Sequence, residues 1–285
     1  MGCLYLRFRV FIVGLVALLF LSSCSNAAVY DEKLNQSNES VAIMSNDLSF
    51  ISFCAKEKSE QNRIYFNYPQ LKGSNENVSK TNNRIIEFIE LSLRDLCESG
   101  FNGNLKDFPE SWEWDNSIYA IQAMVIDYKV ECYGADYLSI TFCGLYNRKT
   151  AAHPLHYFNS LTIDLKTHEV VTLSDLFYID SNFTELFENK YKEQFPVTIA
   201  ERMGVSENEA LKYFEESGFP SLFEDDKTLI EALSQADRDG FRGYNSYLTS
   251  TGLVVSVPLI FALGSHIEVT IDYNALEQNK KAIMK

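Results

Sequence analysis

An α+β fold is predicted for this chain of 285 residues, with mixed, mainly antiparallel sheets and helices packed on one side of them. Three observations predict it. Period-two strand patterns cluster at 124–146 and at 244–273, helical periods fall in separate stretches before and between them, and the composition is that of an ordinary folded protein. Hydrophobic residues make up 46% and charged residues 22%, and 20 Phe, 16 Tyr and 2 Trp suffice to fill a sizeable core.

Residues 62–68, ending before Pro69, read as a strand. Val78, Ile85, Ile89, Leu93 and Leu96 then recur at helical spacing through Glu98, with Ser74 or Asn75 placed to cap the helix. Met124, Ile126, Tyr128, Val130 and Cys132 alternate with Asp127, Lys129 and Glu131, and Leu138, Ile140, Phe142 and Tyr146 alternate on the following strand. If both apolar sets share a face, even-numbered residues oppose even-numbered ones, which requires an odd loop such as Gly134-Ala135-Asp136. A strand at 157–165, a turn at 166–169, helices at 182–203 (broken near Pro196) and 206–216, and strands at 244–248, 253–257 and 266–273 complete the reading.

The acidic balance, 39 Asp and Glu against 25 Lys and Arg for a formal charge of −14, excludes nucleic acid as the expected partner, since an acidic surface repels phosphate. At the amino terminus, Arg7 and Arg9 precede an apolar run from Val10 to Leu21. Twelve residues are too few for a spanning helix, so the run reads as a removed signal segment, residues 1–23. Leu21-Ser22-Ser23-Cys24 resembles the lipobox of bacterial lipoproteins. That resemblance implies lipid on Cys24, membrane attachment through it, and a location on the exported side of the bacterial envelope. Removal of residues 1–23 takes two arginines and no acids, leaving 23 basic against 39 acidic groups and a charge of −16. Residues 24–47 lack any period and read as a flexible tether.

Four cysteines remain in the body: Cys54, Cys97, Cys132 and Cys143. The register places Cys132 on the apolar face and Cys143, opposite Asp127, on the other, so a bridge between those two is rejected. Cys54 and Cys97 each pairing with a hairpin cysteine, or no bridge at all, are the alternatives. Among the histidines, His153-Pro154-Leu155-His156 is the close pair, and Pro154 removes the helical geometry that a metal site would use. No metal or cofactor is expected, and no nucleophile elbow, phosphate loop or dinucleotide fingerprint is found. Asp237-Arg238-Asp239-Gly240 lacks the ligand spacing of a calcium loop and reads as a solvated turn. The carboxylates at Phe223-Glu224-Asp225-Asp226 precede a helix, where acids suit the dipole, and Trp112-Glu113-Trp114 is a candidate stacking site in a loop.

Tyr68-Pro69-Gln70-Leu71, the helix carrying Asn82, Asn83 and Ile85, and the strand Leu138-Ser139-Ile140 resemble the PdaC-type non-catalytic N-terminal domain. Downstream, Ala151-Ala152-His153-Pro154, Tyr157 to Thr167, Leu173-Ser174-Asp175-Leu176-Phe177, Tyr247 to Leu253 and Ile267 to Tyr273 resemble the RsiV-like C-terminal domain family, which includes a lysozyme-receptor region. The resemblance implies two consecutive small α+β subdomains, 48–150 and 151–280, in an envelope lipoprotein. It also implies a binding module, not an enzyme, for a cell-wall glycan or an extracellular, cationic, lysozyme-like protein. The expected binding residues are His153, Pro154 and His156 in one loop and Phe261 in the loop before the last strand. A wall-modifying enzyme with paired carboxylates and a structural spacer are the competing expectations.

Overall fold

The structure, a computed structural model, describes residues 50–58, 63–97, 105, 121–148, 151, 153–216, 226–259 and 266–284. Strands β1 (Phe50–Lys58), β2 (Arg63–Leu71), β3 (Ile121–Tyr133), β4 (Tyr137–Arg148) and β5 (Leu155–Asp164) form one sheet in sequence order. Neighbours are antiparallel except β2 and β3. A parallel pair needs a crossover, and helix α1 (Glu76–Cys97) lies in that connection. Its predicted apolar stripe is buried, Ile85, Ile89 and Leu93 completely, in one core with Phe66, Met124, Ile126, Ile140 and Phe142. Asn75 caps the helix, its Oδ1 accepting from the Val78 amide at 2.8 Å.

A second sheet contains β6 (Asn245–Leu248), β7 (Gly252–Pro258) and β8 (His266–Asp272), all antiparallel. One of its faces shares a core with α2 (Leu173–Leu176), α3 (Ser181–Met203), α4 (Glu207–Glu216) and α5 (Asp226–Ser234). The expected break at Pro196 is absent. Proline removes one backbone donor, but Phe183, Phe187, Tyr191, Phe195 and Ile199 bury at four-residue intervals on both sides of it and carry α3 through. Asp180 caps this helix at one end and Gly204, at φ 66°, closes it at the other. Both sheets thus carry helices on one face, as an α+β fold requires. Residues 44–285 form one compact unit, and position 150 falls between β4 and β5, which are neighbours in the larger sheet.

The body of the β3–β4 hairpin has the expected register, with Tyr128 opposite Phe142 and Asp127 opposite Cys143. Gly144 belongs to this packing: a Cβ there would sit 2.0 Å from the Val125 carbonyl oxygen. Nearer the turn the register shifts between Val130 and Cys132, and the extra residue is Glu131. Cys132 therefore opposes Ser139 and packs on the core of the smaller sheet, not on the α1 face assigned to it above. Cys132 and Cys143 share a face, yet about 13 Å of strand separates Cys143 from Ser139, so a bridge is still excluded. Both thiols are free.

Strand β6 lies edge-on against the larger sheet. Its outward backbone groups are met by side chains: the Ser160 hydroxyl donates to the Ser246 carbonyl at 2.8 Å, and the Leu248 amide donates to Ser139 Oγ at 3.1 Å. Asp237 corrects the solvated-turn reading. At φ 69° it turns its carboxylate inward, where Oδ1 accepts from the Ser246 amide at 2.5 Å and Oδ2 from the Ser246 hydroxyl at 2.6 Å and the Leu173 amide at 2.9 Å. Asp is among the few side-chain-bearing residues that visit that backbone region readily.

Candidate functional site

Along β8, Ile267, Val269 and Ile271 point into the helical core, so His266, Glu268, Thr270 and Asp272 line the opposite face. The register adds Val254, Ser256 and Pro258 from β7 and Asn245 and Tyr247 from β6 to that face. It meets the larger sheet at Phe158, whose β4 partner is Cys143. Phe158, Tyr247 and Val254 form a small buried cluster. The His266 ring stacks on Phe158 with centroids 4.3 Å apart and planes 27° apart, and the Tyr247 hydroxyl donates to Glu268 Oε1 at 2.7 Å. The result is an aromatic seam between sheets with carboxylates on its rim. Glu268 and Asp127 are exposed, while Glu131 is held by the Thr141 hydroxyl at 2.9 Å and by Lys129 at 2.7 Å.

The seam carries opposite charge at its two ends. Shielding from solvent, then the carboxylates of Asp127, Glu268 and Glu131, push the Cys143 thiol up, with Lys129 opposing, so it stays protonated. Burial and the Glu268 charge push Tyr247 up as well. At the other end Arg202, from the last turn of α3, donates to the His266 carbonyl at 2.6 Å. Burial, then Arg202 and His156, pull the His266 imidazole down to about 4, and shielding of its ring followed by Arg202 lowers His156. Both imidazoles are neutral at pH 7. Among the described residues no three His, Cys, Asp or Glu side chains converge as metal ligands.

Of the expected site residues, His153 and Pro154 are exposed ahead of β5, and His156 sits on β5 at the charged end of the seam. Phe261, Cys24, Trp112 and Trp114 lie outside the described residues, as do the side chains of Cys54 in β1 and Cys97 in α1. Sequence reasoning missed Phe158, Arg202, Tyr247 and Glu268, and His266 was not singled out. The alternation of β8 marked Glu268 as facing away from the core, but no sequence signal said that another sheet waits there. The one acid raised toward neutrality among the described residues, Asp237 at about 6, is pushed up by burial against the hydrogen bonds from Ser246 and Leu173. Both its oxygens are already committed to backbone and hydroxyl donors.

No family model matches the chain, and no curated protein matches it. Among solved structures it is similar to a DUF3298 family member from Bacteroides fragilis, at 14% identity and a TM-score of 0.50, over 82% of this chain and 94% of that one. A DUF3298 family protein from Pseudomonas aeruginosa gives 12% identity and a TM-score of 0.46 over 84% and 94%. The first likeness is one of fold.

Proposed function

We propose that the protein is a membrane-tethered lipoprotein of the bacterial envelope whose folded part binds a cationic extracellular protein at the seam between its sheets. The observation that carries this reading is the pair of exposed carboxylates, Asp127 and Glu268, on the rim of the seam whose rings, Phe158 and Tyr247, are buried beneath them. The charge of a lysine or arginine side chain matches the carboxylates, and its stem would lie along the rim above the buried rings. The sequence resemblance to the lysozyme-receptor family and the formal charge of −14 support the same partner class. A cell-wall glycan is the other ligand class, and its binding would not need the acids. Catalysis by paired carboxylates draws no support from Asp237, whose hydrogen bonds hold the fold.

Titrating the full chain in detergent with lysozyme and with peptidoglycan fragments, at low and at high salt, tests the proposal. Saturable binding of lysozyme that weakens with salt, and that falls about three- to tenfold in Glu268→Gln, is the expected result. Salt-insensitive binding of the fragments alone would move the reading to glycan, and no saturable binding of either would overturn it.

A further inference from the structure

His266 is held from three sides. Phe158 of β5 stacks on its ring, Arg202 of α3 is bonded to its carbonyl oxygen, and Pro258 of β7 stands opposite it in the ladder. Its Nδ1 is buried without a hydrogen-bond partner among the described residues. A neutral ring tolerates this, because one nitrogen can keep its lone pair there. A doubly protonated ring cannot, since it would bury an N–H with no acceptor beside a guanidinium. The titratable and charged groups around it are Arg202 on α3, His156 on β5, Glu268 two positions along its own strand, and Tyr247 on β6, which is bonded to Glu268. The two nearest in electrostatic effect, Arg202 and His156, both oppose a positive charge.

We propose that His266 is an acid-released latch: on gaining its second proton the ring leaves Phe158, and the face carrying Tyr247 and Glu268 opens. The low value of its imidazole adds the sign. A group lowered in the folded state stabilises the fold fully above pH 6.5, and that stabilisation is lost as pH falls toward 4. As a control on ligand access the latch rests on the seam being the binding face, but the latch itself is read without ligand, so the two stand or fall separately.

The test compares melting of the unliganded full chain with its His266→Phe variant, which keeps an aromatic ring against Phe158 and removes the titration. Between pH 7 and pH 5 the native chain is expected to lose about 5 °C more than the variant. In the native chain alone, hydrogen exchange corrected for intrinsic rates should show β8 around His266 losing protection at pH 5 before the α1 core does. Parallel melting of native and variant chains overturns the proposal, as does an even loss of protection across both cores.

Discussion

The smaller sheet has two open edges, and among the described residues neither is closed by a strand. At β6 the outward backbone groups meet Asp237, Ser139 and Ser160 inside the protein. At β8 the Gln194 side-chain amide bonds both the amide and the carbonyl of Thr270, at 2.9 and 2.8 Å, and Arg202 takes the His266 carbonyl. The first closure is made of short, buried, mutually satisfied groups; the second of long side chains at the surface. An unmet backbone group costs full desolvation in the interior and little where water reaches it. The β6 edge therefore holds the fold, while the β8 edge, with the latch at one end, is where the structure can give. It also borders the proposed binding face.

The largest effect should come from Asp237→Ala, which leaves the Leu173 amide and the Ser246 amide and hydroxyl without acceptors in a left-handed backbone conformation. A loss of about 3 kcal/mol in denaturant unfolding is expected, and a loss no greater than at a surface site would dissolve the contrast between edges. Next comes a tilt with pH. Asp237 is raised to about 6, so its proton is held more tightly folded than unfolded, and the stability it lends below pH 4 fades as pH rises through 6. His266 runs the other way over the same window. Asp237→Asn should therefore expose the histidine slope, and His266→Phe the aspartate slope, in stability measured from pH 4 to 7. Ser139→Ala, removing the acceptor for Leu248 and the Thr162 partner, should cost about 1.5 kcal/mol. At the other edge Gln194→Ala should cost only about 0.5 kcal/mol, with faster exchange of the Thr270 amide as its signature.

Much of the framework was legible because hydrophobic periodicity reports directly on burial. The α1 stripe, the alternation of β8 and the pairing of Asp127 with Cys143 all follow from which side chains must leave water. The face of Cys132 did not, because a single extra residue at Glu131 reverses it and nothing in a run of alternating residues announces a bulge. Strand β1 also went unread, its Ile51 and Ser52 exposed on a sheet edge where apolar patterning is weak. Asp237 was misread for a related reason: an aspartate in a turn looks the same whether its carboxylate faces water or a buried strand. The candidate site was least legible, since Phe158 on β5 and Tyr247 on β6 come together only through the meeting of two sheets.

The clasp of α3 on β8 works as a ruler. Gln194 and Arg202 are eight residues apart on a helix, about 12 Å, and Thr270 and His266 are four apart on a strand, about 13 Å. The two spans match to within about 1 Å. Over its course, then, the protein should accept many changes of residue but no change of length: one inserted residue between 194 and 202 would turn the second contact by a little over a quarter of a helical turn, away from the strand it meets.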